Sequence, residues 1–382
     1  MHSIAIVLTA RFPSEKAYSV TISETARAAN LMSIPVEIYA PFHSDIEPAE
    51  NVIYFESKLI RKLSSILGKL PKIVDIYFFF IRRILIATKF RKKLGQINRP
   101  NLIVWTRDPL IAIVTNRRTK VFLELHNTPS YLDGVLCKFL NGRPKLSVGT
   151  LTSAHRDNIR KYFSKTIIVI LPMAVSKKFF LPNQKRISTE TIGYIGKGWS
   201  SGEDNQLTNL IDSAKLIDRQ IETEMQWNFL GLEPTYKSKM EILIKNHHWI
   251  KSRFNFINHV SHDLVPDYLS TMSFGLIPYL DSPYNRQRFP IKALEYAAAG
   301  VTILATNTPG NRSVLDVDRC YFYDPQIKES LAKVINVVLN EDKERNQKRE
   351  KALRWARAFT YESRVSIVLD SFDGLTEGIF EN

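Results

Sequence analysis

The sequence has very few cysteines. Cys137 and Cys320 are the two cysteines among 382 residues, and they lie far apart with no metal-ligand spacing. This pattern excludes a small disulfide-stabilised fold and a cysteine-ligated zinc domain, and it fits a reducing cytoplasm. We therefore predict a cytoplasmic protein with no metal site.

The sequence also lacks long apolar runs. None reaches the roughly 20 residues that a helix needs to span a bilayer. The first apolar run, residues 4–8, follows no positively charged region and is interrupted early by Arg11. We interpret it as a first core strand, not as a secretory signal.

Acidic residues are almost absent from one segment, residues 58–99, where Asp75 is the sole acid. The segment contains twelve basic residues and contributes 12 − 1 = +11 of the formal net charge of +15. The remaining chain is nearly neutral, so the charge is local and indicates an anionic binding surface. The twelve are Lys58, Arg61, Lys62, Lys69, Lys72, Arg82, Arg83, Lys89, Arg91, Lys92, Lys93 and Arg99.

Apolar runs alternate with helical patterns along the whole chain. This alternation predicts an α/β fold with parallel sheets, and at roughly 150 residues per domain the length predicts two domains. The best linker candidate is residues 172–188. We predict two doubly wound domains, 1–175 and 186–360, and a helical C-terminal segment, 361–382, that can pack on either domain and so can return to the first.

The most informative motif is the run from Phe289 to Gly300. It predicts a loop, a short helix starting near Pro290 and ending at Gly300, and then a buried strand. Lys292 and Glu295 are three residues apart and share one helix face. A cation at a helix N-terminus favours a phosphate site, and Glu295 could accept hydrogen bonds from sugar hydroxyls. The alternative, which spacing alone leaves open, is a Lys–Glu pair on a solvated helix face.

This motif resembles the donor-nucleotide helix of retaining glycosyltransferases with the GT-B fold, and more narrowly of family 4, often called group 1. Other segments that resemble the family occur in the expected order. They are Ala10–Ala17, Trp105–Asp108, Leu123–Pro129, Thr191–Lys197, Val260–Asp263 with Pro266, and Gly275–Tyr279.

The resemblance implies two Rossmann-like domains facing a central cleft, with the acceptor on the first domain and the nucleotide-sugar on the second. It implies retention of anomeric configuration, no metal, and no cofactor beyond a donor substrate such as a UDP- or GDP-sugar. Implied catalytic residues are His126 facing the transferred sugar, Lys197 at the diphosphate and Lys292. Implied donor-binding residues are Glu295 at the ribose, Pro290 and Ile291 near the phosphates or sugar, Val260 and Ser261 near the base, and Gln287.

Two departures from the family pattern leave alternatives open. The family commonly has a glutamate where this chain has Gln287, and the loop 198–204 after Lys197 contains no cation. Arg286, Arg288 or Lys292 could compensate. A non-catalytic sugar-binding protein, an inverting transferase and an epimerase therefore stay open, while the lack of a nucleic-acid motif disfavours nucleic-acid binding.

The basic segment includes a predicted long helix over residues 73–94. Asp75, Arg82, Lys89 and Lys93 would form a polar stripe, with aromatic and aliphatic residues elsewhere. Such a helix is suited to the interface of an anionic membrane, here its inner face. Relatives often act on lipid-linked glycans, which implies a glycan or lipid-linked acceptor in cell-surface polysaccharide or glycolipid synthesis. The alternative is a helix that packs on its own sheet.

Overall fold

The computed structural model describes most of the chain. The described residues are 2–14, 17–41, 49, 51–55, 59, 62–63, 66, 72–97, 99, 101–181, 190–200, 203–204, 207–220 and 225–373. Lys16, much of the basic segment before residue 72, and residues 182–188 of the predicted linker lie outside them.

The chain divides into two compact units. The first comprises Met1–Pro172 together with Tyr361–Asn382, and the second comprises Met173–Thr360. The chain thus passes into the second unit after Pro172 and re-enters the first at Tyr361, where the last described helix begins.

The first unit has a parallel sheet with flanking helices. Its strand order, β3-β2-β1-β4-β5-β6-β7, reverses direction beside β1, as in doubly wound folds. Its strands are β1 Ser3–Val7, β2 Val36–Pro41, β3 Val52–Phe55, β4 Leu102–Thr106, β5 Lys120–Leu125, β6 Leu146–Thr150 and β7 Ile167–Ile170. Its helices are α1 Ala17–Leu31, α2 Lys72–Leu94, α3 Pro109–Val114, α4 Tyr131–Leu140, α5 Ser153–Ile159 and, from the C-terminus, α14 Tyr361–Asp373.

The second unit repeats this architecture in the order β12-β11-β8-β13-β14-β15, and a short antiparallel pair, β9 and β10, follows β8. The strands are β8 Glu190–Ile195, β9 Trp199–Ser200, β10 Glu203–Asp204, β11 Met225–Leu230, β12 Phe254–Ile257, β13 Phe274–Ile277, β14 Thr302–Thr306 and β15 Cys320–Tyr323. The helices are α6 Asn209–Gln220, α7 Pro234–Ile244, α8 His248–Arg253, α9 Val265–Leu269, α10 Ile291–Ala298, α11 Pro309–Arg312, α12 Ser330–Asn340 and α13 Asp342–Arg357, preceded by a 3₁₀ turn at Lys177–Phe179.

The central strands are buried on both faces. Every residue of β1, β4, β6 and β14 is buried, which explains their continuous apolar runs. The predicted fold class, two parallel α/β sheets of the doubly wound type, is therefore confirmed.

Helix α10 is the predicted short helix of the Phe289–Gly300 motif. It starts after Pro290 and ends at Gly300, which has a φ of +68°. The amide of Gly300 donates to the carbonyl of Ala297, and that of Val301 donates to the carbonyl of Tyr296. This pattern is a Schellman motif, and it requires the left-handed residue that glycine supplies at lowest cost.

Helix α2 differs from its prediction at Arg82. Arg82 was expected on a polar stripe at a membrane interface, but it is buried and donates to the carbonyl of Thr9. Arg83, Ile86 and Phe90 are buried as well, so much of this face packs inside the unit. Burial of two arginines is possible because each finds hydrogen-bond acceptors.

The exposed surface of α2 is unusually apolar, since Tyr77 is 65% exposed and Ile76 is 61% exposed. In the part of the chain that the structure describes, no helix is both long and apolar enough to cross a membrane.

Candidate functional site

The second unit has a candidate ligand-binding edge where its strand order reverses. From β8 the sheet extends one way through β11 and β12, and the other way through β13 to β15. Open parallel sheets bind ligands beyond the carboxyl ends of the strands at such a point. Gly196 and Lys197 follow β8 there, and Tyr279 follows β13.

Lys292, in the first turn of α10, reaches this edge. A Cβ atom on Gly196 would lie 3.2 Å from Cε of Lys292, and Gly196 has a φ of +148°. The positive φ therefore favours glycine at this position, and a side chain there would also press against Lys292. The sequence thus places a cation from α10 against the loop after β8.

The ammonium of Lys292 donates a hydrogen bond to the hydroxyl of Tyr279. Burial alone would raise the pKa of Tyr279, but Lys292 and Arg288 outweigh it and the net shift is downward. The guanidinium carbon of Arg288 lies 4.1 Å from the centre of the Tyr279 ring. The two cations and the tyrosine form a positive cluster suited to an anionic ligand.

Glu295 lies one turn further along α10 and is only 6% exposed. Its Oε1 lies 3.3 Å from Nε2 of His262, whose ring centre is 5.1 Å from that of Phe179. The alternative of a solvated Lys–Glu pair is therefore wrong for Glu295. A buried carboxylate needs hydrogen-bond donors, and sugar hydroxyls would supply them; its role at a ribose remains a prediction.

The other predicted donor-side residues lie on nearby loops. Lys197 is 63% exposed, and its Nζ is 3.7 Å from Oε1 of Glu233. Gln287 donates from Nε2 to the carbonyl of Pro283 at 2.8 Å. Pro290 and Ile291 form the start of α10, while Val260 is half-buried and Ser261 exposed in the turn after β12. His262 directly follows Ser261 in this turn, so the turn contacts Glu295 through the imidazole of His262.

A cavity of about 720 Å³ also opens at this edge, beside β13, β14 and β15. It is lined by Pro278, Asp281 and Thr306 among others, but not by Lys292 or Glu295. The predicted donor residues therefore lie outside the lining of this cavity.

In the first unit, His126 follows β5 and belongs to a buried charge network centred on Glu124. Nε2 of His126 lies 2.5 Å from Oε1 of Glu124. The same oxygen accepts from Arg364 at 2.7 Å and Arg107 at 3.2 Å, and Oε2 accepts from Trp105 at 2.8 Å. Glu124 is 3% exposed, so these donors replace water around the carboxylate.

The network fixes the protonation of its members. Burial would raise the pKa of Glu124, but Arg107, Arg364 and His126 lower it well below its ordinary value. Burial and Arg107 lower the pKa of His126 to about 4, although Glu124 opposes the shift. The histidine is therefore neutral near pH 7. With Nε2–H donating to Glu124, its Nδ1 is the atom available as an acceptor.

A second ion cluster borders His126. Arg83 of α2 donates to both oxygens of Asp108, at 2.8 and 2.7 Å, and to Asp133 of α4 at 2.7 Å. Asp108 also caps α3 by accepting from the amide of Leu110. A cavity of about 530 Å³ lies at the carboxyl ends of β1, β4 and β5, and His126, Arg107, Arg83 and Asp133 contribute to its lining.

Sequence reasoning missed several of these contacts. It placed Tyr279 and His262 in family-like segments without giving either a contact, and it gave Arg364 no role. Tyr279 could have been found from its position directly after a buried strand. Arg364 had no local signal, because its partner Glu124 is 240 residues away in sequence.

No metal site is apparent among the described residues: no group of three or more His, Cys, Asp or Glu side chains could hold an ion there. The sequence does contain one Asp-X-Asp triplet, at residues 316–318. Asp316 pairs with Arg319 at 2.6 Å and Asp318 with Lys351 at 2.8 Å, and both precede β15, at the edge opposite the donor residues.

Known proteins resemble this chain in family and in fold. Residues 202–355 match the family model for glycosyl transferases group 1. A segment of 60 residues is 38% identical to TuaH of Bacillus subtilis (strain 168), which is assigned as a teichuronic acid biosynthesis glycosyltransferase. This match spans 16% of the chain and 14% of that relative.

Solved structures resemble the chain over nearly its whole length. Sucrose-phosphate synthase from Thermosynechococcus elongatus has a TM-score of 0.71 at 13% identity, covering 98% of this chain and 99% of that one. Anabaena HepE, solved with UDP and glucose, has a TM-score of 0.64 at 12% identity, covering 99% and 100%. At these identities the likeness concerns the fold.

The chain therefore has the GT-B fold of two Rossmann-like units. Its residues 202–355 match the model of the group 1 glycosyltransferases, which supports the resemblance at the level of group 1, while family 4 stays a prediction.

Proposed function

We propose that this protein transfers a sugar from a nucleotide-diphospho-sugar to an acceptor, with retention of anomeric configuration and without a metal. The observation that carries the proposal is the start of α10. Lys292 packs beside Gly196 at the carboxyl edge of the sheet, and Glu295, one helical turn further along α10, is buried. A phosphate binder and a hydroxyl acceptor on one helix match the two ends of a nucleoside diphosphate.

The chemistry requires stabilisation of the leaving group. Breaking the anomeric C–O bond places negative charge on the nucleoside diphosphate. Lys292 and the N-terminus of α10 supply fixed positive charge there, and Tyr279 contacts the lysine. Lys197 would add a second cation by exchanging Glu233 for the diphosphate.

We assign the acceptor side to the cavity beside His126. A neutral imidazole with Nδ1 available can accept a hydrogen bond from a sugar hydroxyl, and the Glu124 network keeps it neutral. Arg107 and Arg83 supply donors, and Asp108 and Asp133 supply acceptors, so this lining suits a polyhydroxylated molecule.

The acceptor is proposed to be a glycan or lipid-linked glycan at the inner face of an anionic membrane. Helices α2 and α4 are joined by the Arg83–Asp133 ion pair, and both expose apolar side chains. Phe79 of α2 is 44% exposed and also lines the acceptor cavity. The other exposed side chains are Val74, Ile76, Tyr77 and Ile84 on α2, and Tyr131, Leu132, Val135 and Phe139 on α4.

Vesicle flotation tests the membrane part of the proposal. The full chain should float with anionic vesicles at low salt, and a Tyr77→Ser/Phe139→Ser variant should float several-fold less. Exposed apolar side chains on a basic surface bind at such an interface, and the charge contribution is strongest at low salt. Failure of the wild-type chain to bind would contradict membrane attachment and leave the transfer reaction unaffected.

A second candidate is a sugar-binding protein without transferase activity. Gln287 donates to the carbonyl of Pro283, and Lys197 faces Glu233, so two residues expected to bind the donor are engaged by other protein groups. Nucleotide binding without turnover of any donor would support this candidate.

Two measurements separate these candidates. A thermal-shift panel of UDP, GDP, ADP and their sugars should show stabilisation by one nucleotide class, since a ligand that binds the folded state raises its stability. With the responding sugar nucleotide, NMR of the product should then show the donor's anomeric configuration retained. An inverted product would contradict retention, and no product would favour the binding protein.

A further inference from the structure

We propose that Arg364, on the C-terminal helix α14, is a positioning residue of the acceptor-side site. It holds Glu124, and Glu124 in turn orients His126. The importance of this for transfer rests on the proposed function, but the positioning itself concerns only the first unit.

The Arg364 side chain is almost completely enclosed, at 2% exposure, and its guanidinium has three acceptors. Nη2 donates to Oε1 of Glu124 at 2.7 Å, while Nη1 donates to the carbonyls of Leu171 and Pro172. Those carbonyls belong to the last residues of the unit before the chain leaves it. Two backbone carbonyls therefore hold Nη1, while Nη2 contacts the carboxylate.

Oε1 of Glu124 is shared by Arg364 and His126, so the position of one donor constrains the other. Arg107 also donates to this oxygen, but at 3.2 Å and from a side chain that is 25% exposed. Arg364 is thus the shorter and more enclosed of the two arginine contacts. Planar guanidinium groups direct carboxylates more strictly than a lysine can.

This arrangement gives α14 a task beyond packing. A buried ion pair is not needed to hold a helix, because apolar residues of similar volume often do so at least as well. Here the buried cation reaches a carboxylate whose other partner is the histidine at the cavity. We infer that the C-terminal helix supplies one part of the acceptor-side site.

The groups that face His126 predict the electrostatic effect. Glu124 on β5 favours its protonation, whereas Arg107 after β4 and Arg364 on α14 disfavour it. The cavity around it also contains Tyr18, Arg83, Asp108 and Asp133. Loss of Arg364 should therefore raise the pKa of His126 and loosen its orientation.

The experiment compares Arg364→Met, Arg364→Lys and the control Arg27→Met in the full chain. Arg27 is an exposed residue of the helix α1 that packs against α14. NMR titration of labelled histidines, with His126 assigned through His126→Gln, should show its pKa raised by at least about one unit in Arg364→Met, less in Arg364→Lys, and unchanged in the control. A one-unit change is the size expected for loss of a close cation.

In the transfer assay, kcat should fall about 10- to 100-fold in Arg364→Met, the range seen when an outer partner of a functional histidine is lost. The KM for the donor should stay within about twofold, because the donor residues lie in the other unit. Partial rescue by lysine is expected.

A folded Arg364→Met protein with wild-type His126 pKa and kcat would overturn the proposal. If that variant does not fold, an unchanged His126 titration in Arg364→Gln, which keeps hydrogen-bond donors but removes the charge, would overturn it instead. If the wild-type chain transfers no sugar, the proposed function fails, and the histidine titration still decides the role of Arg364.

Discussion

The two candidate sites are built in different ways. The donor side is assembled from short segments at one sheet edge, with its two main residues, Lys292 and Glu295, on a single turn of α10. The acceptor side depends on one buried carboxylate, Glu124, that joins residues from β4, β5 and the distant α14. Substitutions elsewhere in the chain should therefore affect the donor side little. On the acceptor side, a substitution that impairs binding should also lower the stability of the whole first unit.

Replacing Glu124 should break the acceptor side most severely. Glu124→Leu leaves Arg364 buried without its carboxylate, and removal of one partner from a buried pair costs about 3–5 kcal/mol. We expect a loss of that size in the free energy of unfolding by urea. A matched change of an exposed acid, Glu241→Leu on α7, should cost well under about 1 kcal/mol. Equal losses in the two variants would contradict the network.

Replacing Lys292 should break the donor side without affecting stability in the same way. Lys292→Ala removes the cation proposed to face the leaving group, and loss of one such donor typically costs about 10²–10³ in kcat. Unfolding in urea should change by less than about 1 kcal/mol, because the lysine is half-buried at a ligand edge. Steady-state kinetics with Lys237→Ala on α7 as the control measure the effect. A stability loss that accounts for the whole loss of activity would contradict a donor role.

The pH dependence of stability sharpens the contrast. Because the folded pKa of His126 is lowered to about 4 from 6.5, the unfolded chain binds more protons between these values. Stability should therefore fall as the pH drops from about 6.5 to about 4, by roughly 1–3 kcal/mol. Urea unfolding across that range, with His126→Gln as the comparison, measures it. The same slope in the variant would assign the effect to other groups.

The smallest effect is expected at Lys197. Its pair with Glu233 is exposed, so Lys197→Ala should change the unfolding free energy by less than about 1 kcal/mol. If Lys197 binds the diphosphate, donor KM or kcat should still worsen measurably. Unchanged kinetics would remove Lys197 from the site and strengthen the case that Lys292 acts alone.

The same contrast explains what the sequence could predict. Continuous apolar runs predicted the buried strands, and Pro290 with Gly300 predicted the limits of α10, because those signals are local. Burial of Arg82 was mispredicted because helical spacing cannot tell which face meets a sheet. The Arg364–Glu124 contact was missed for a related reason, since pairing between residues 240 apart leaves no periodic or spacing signal.

The roles of the predicted donor residues are a different matter. Their positions are consistent with a nucleotide-sugar, but the base, the sugar and the acceptor depend on a few side-chain contacts that a fold does not determine.

Thermal-shift titration of Glu295→Ala tests the central claim most directly. The nucleotide that stabilises the wild-type chain should give no shift with Glu295→Ala, while the exposed control Glu241→Ala should retain the wild-type shift. Loss of hydrogen bonds to a charged group is expected to weaken binding by about 1.5–3 kcal/mol or more. A wild-type shift in Glu295→Ala would contradict the donor site proposed at α10.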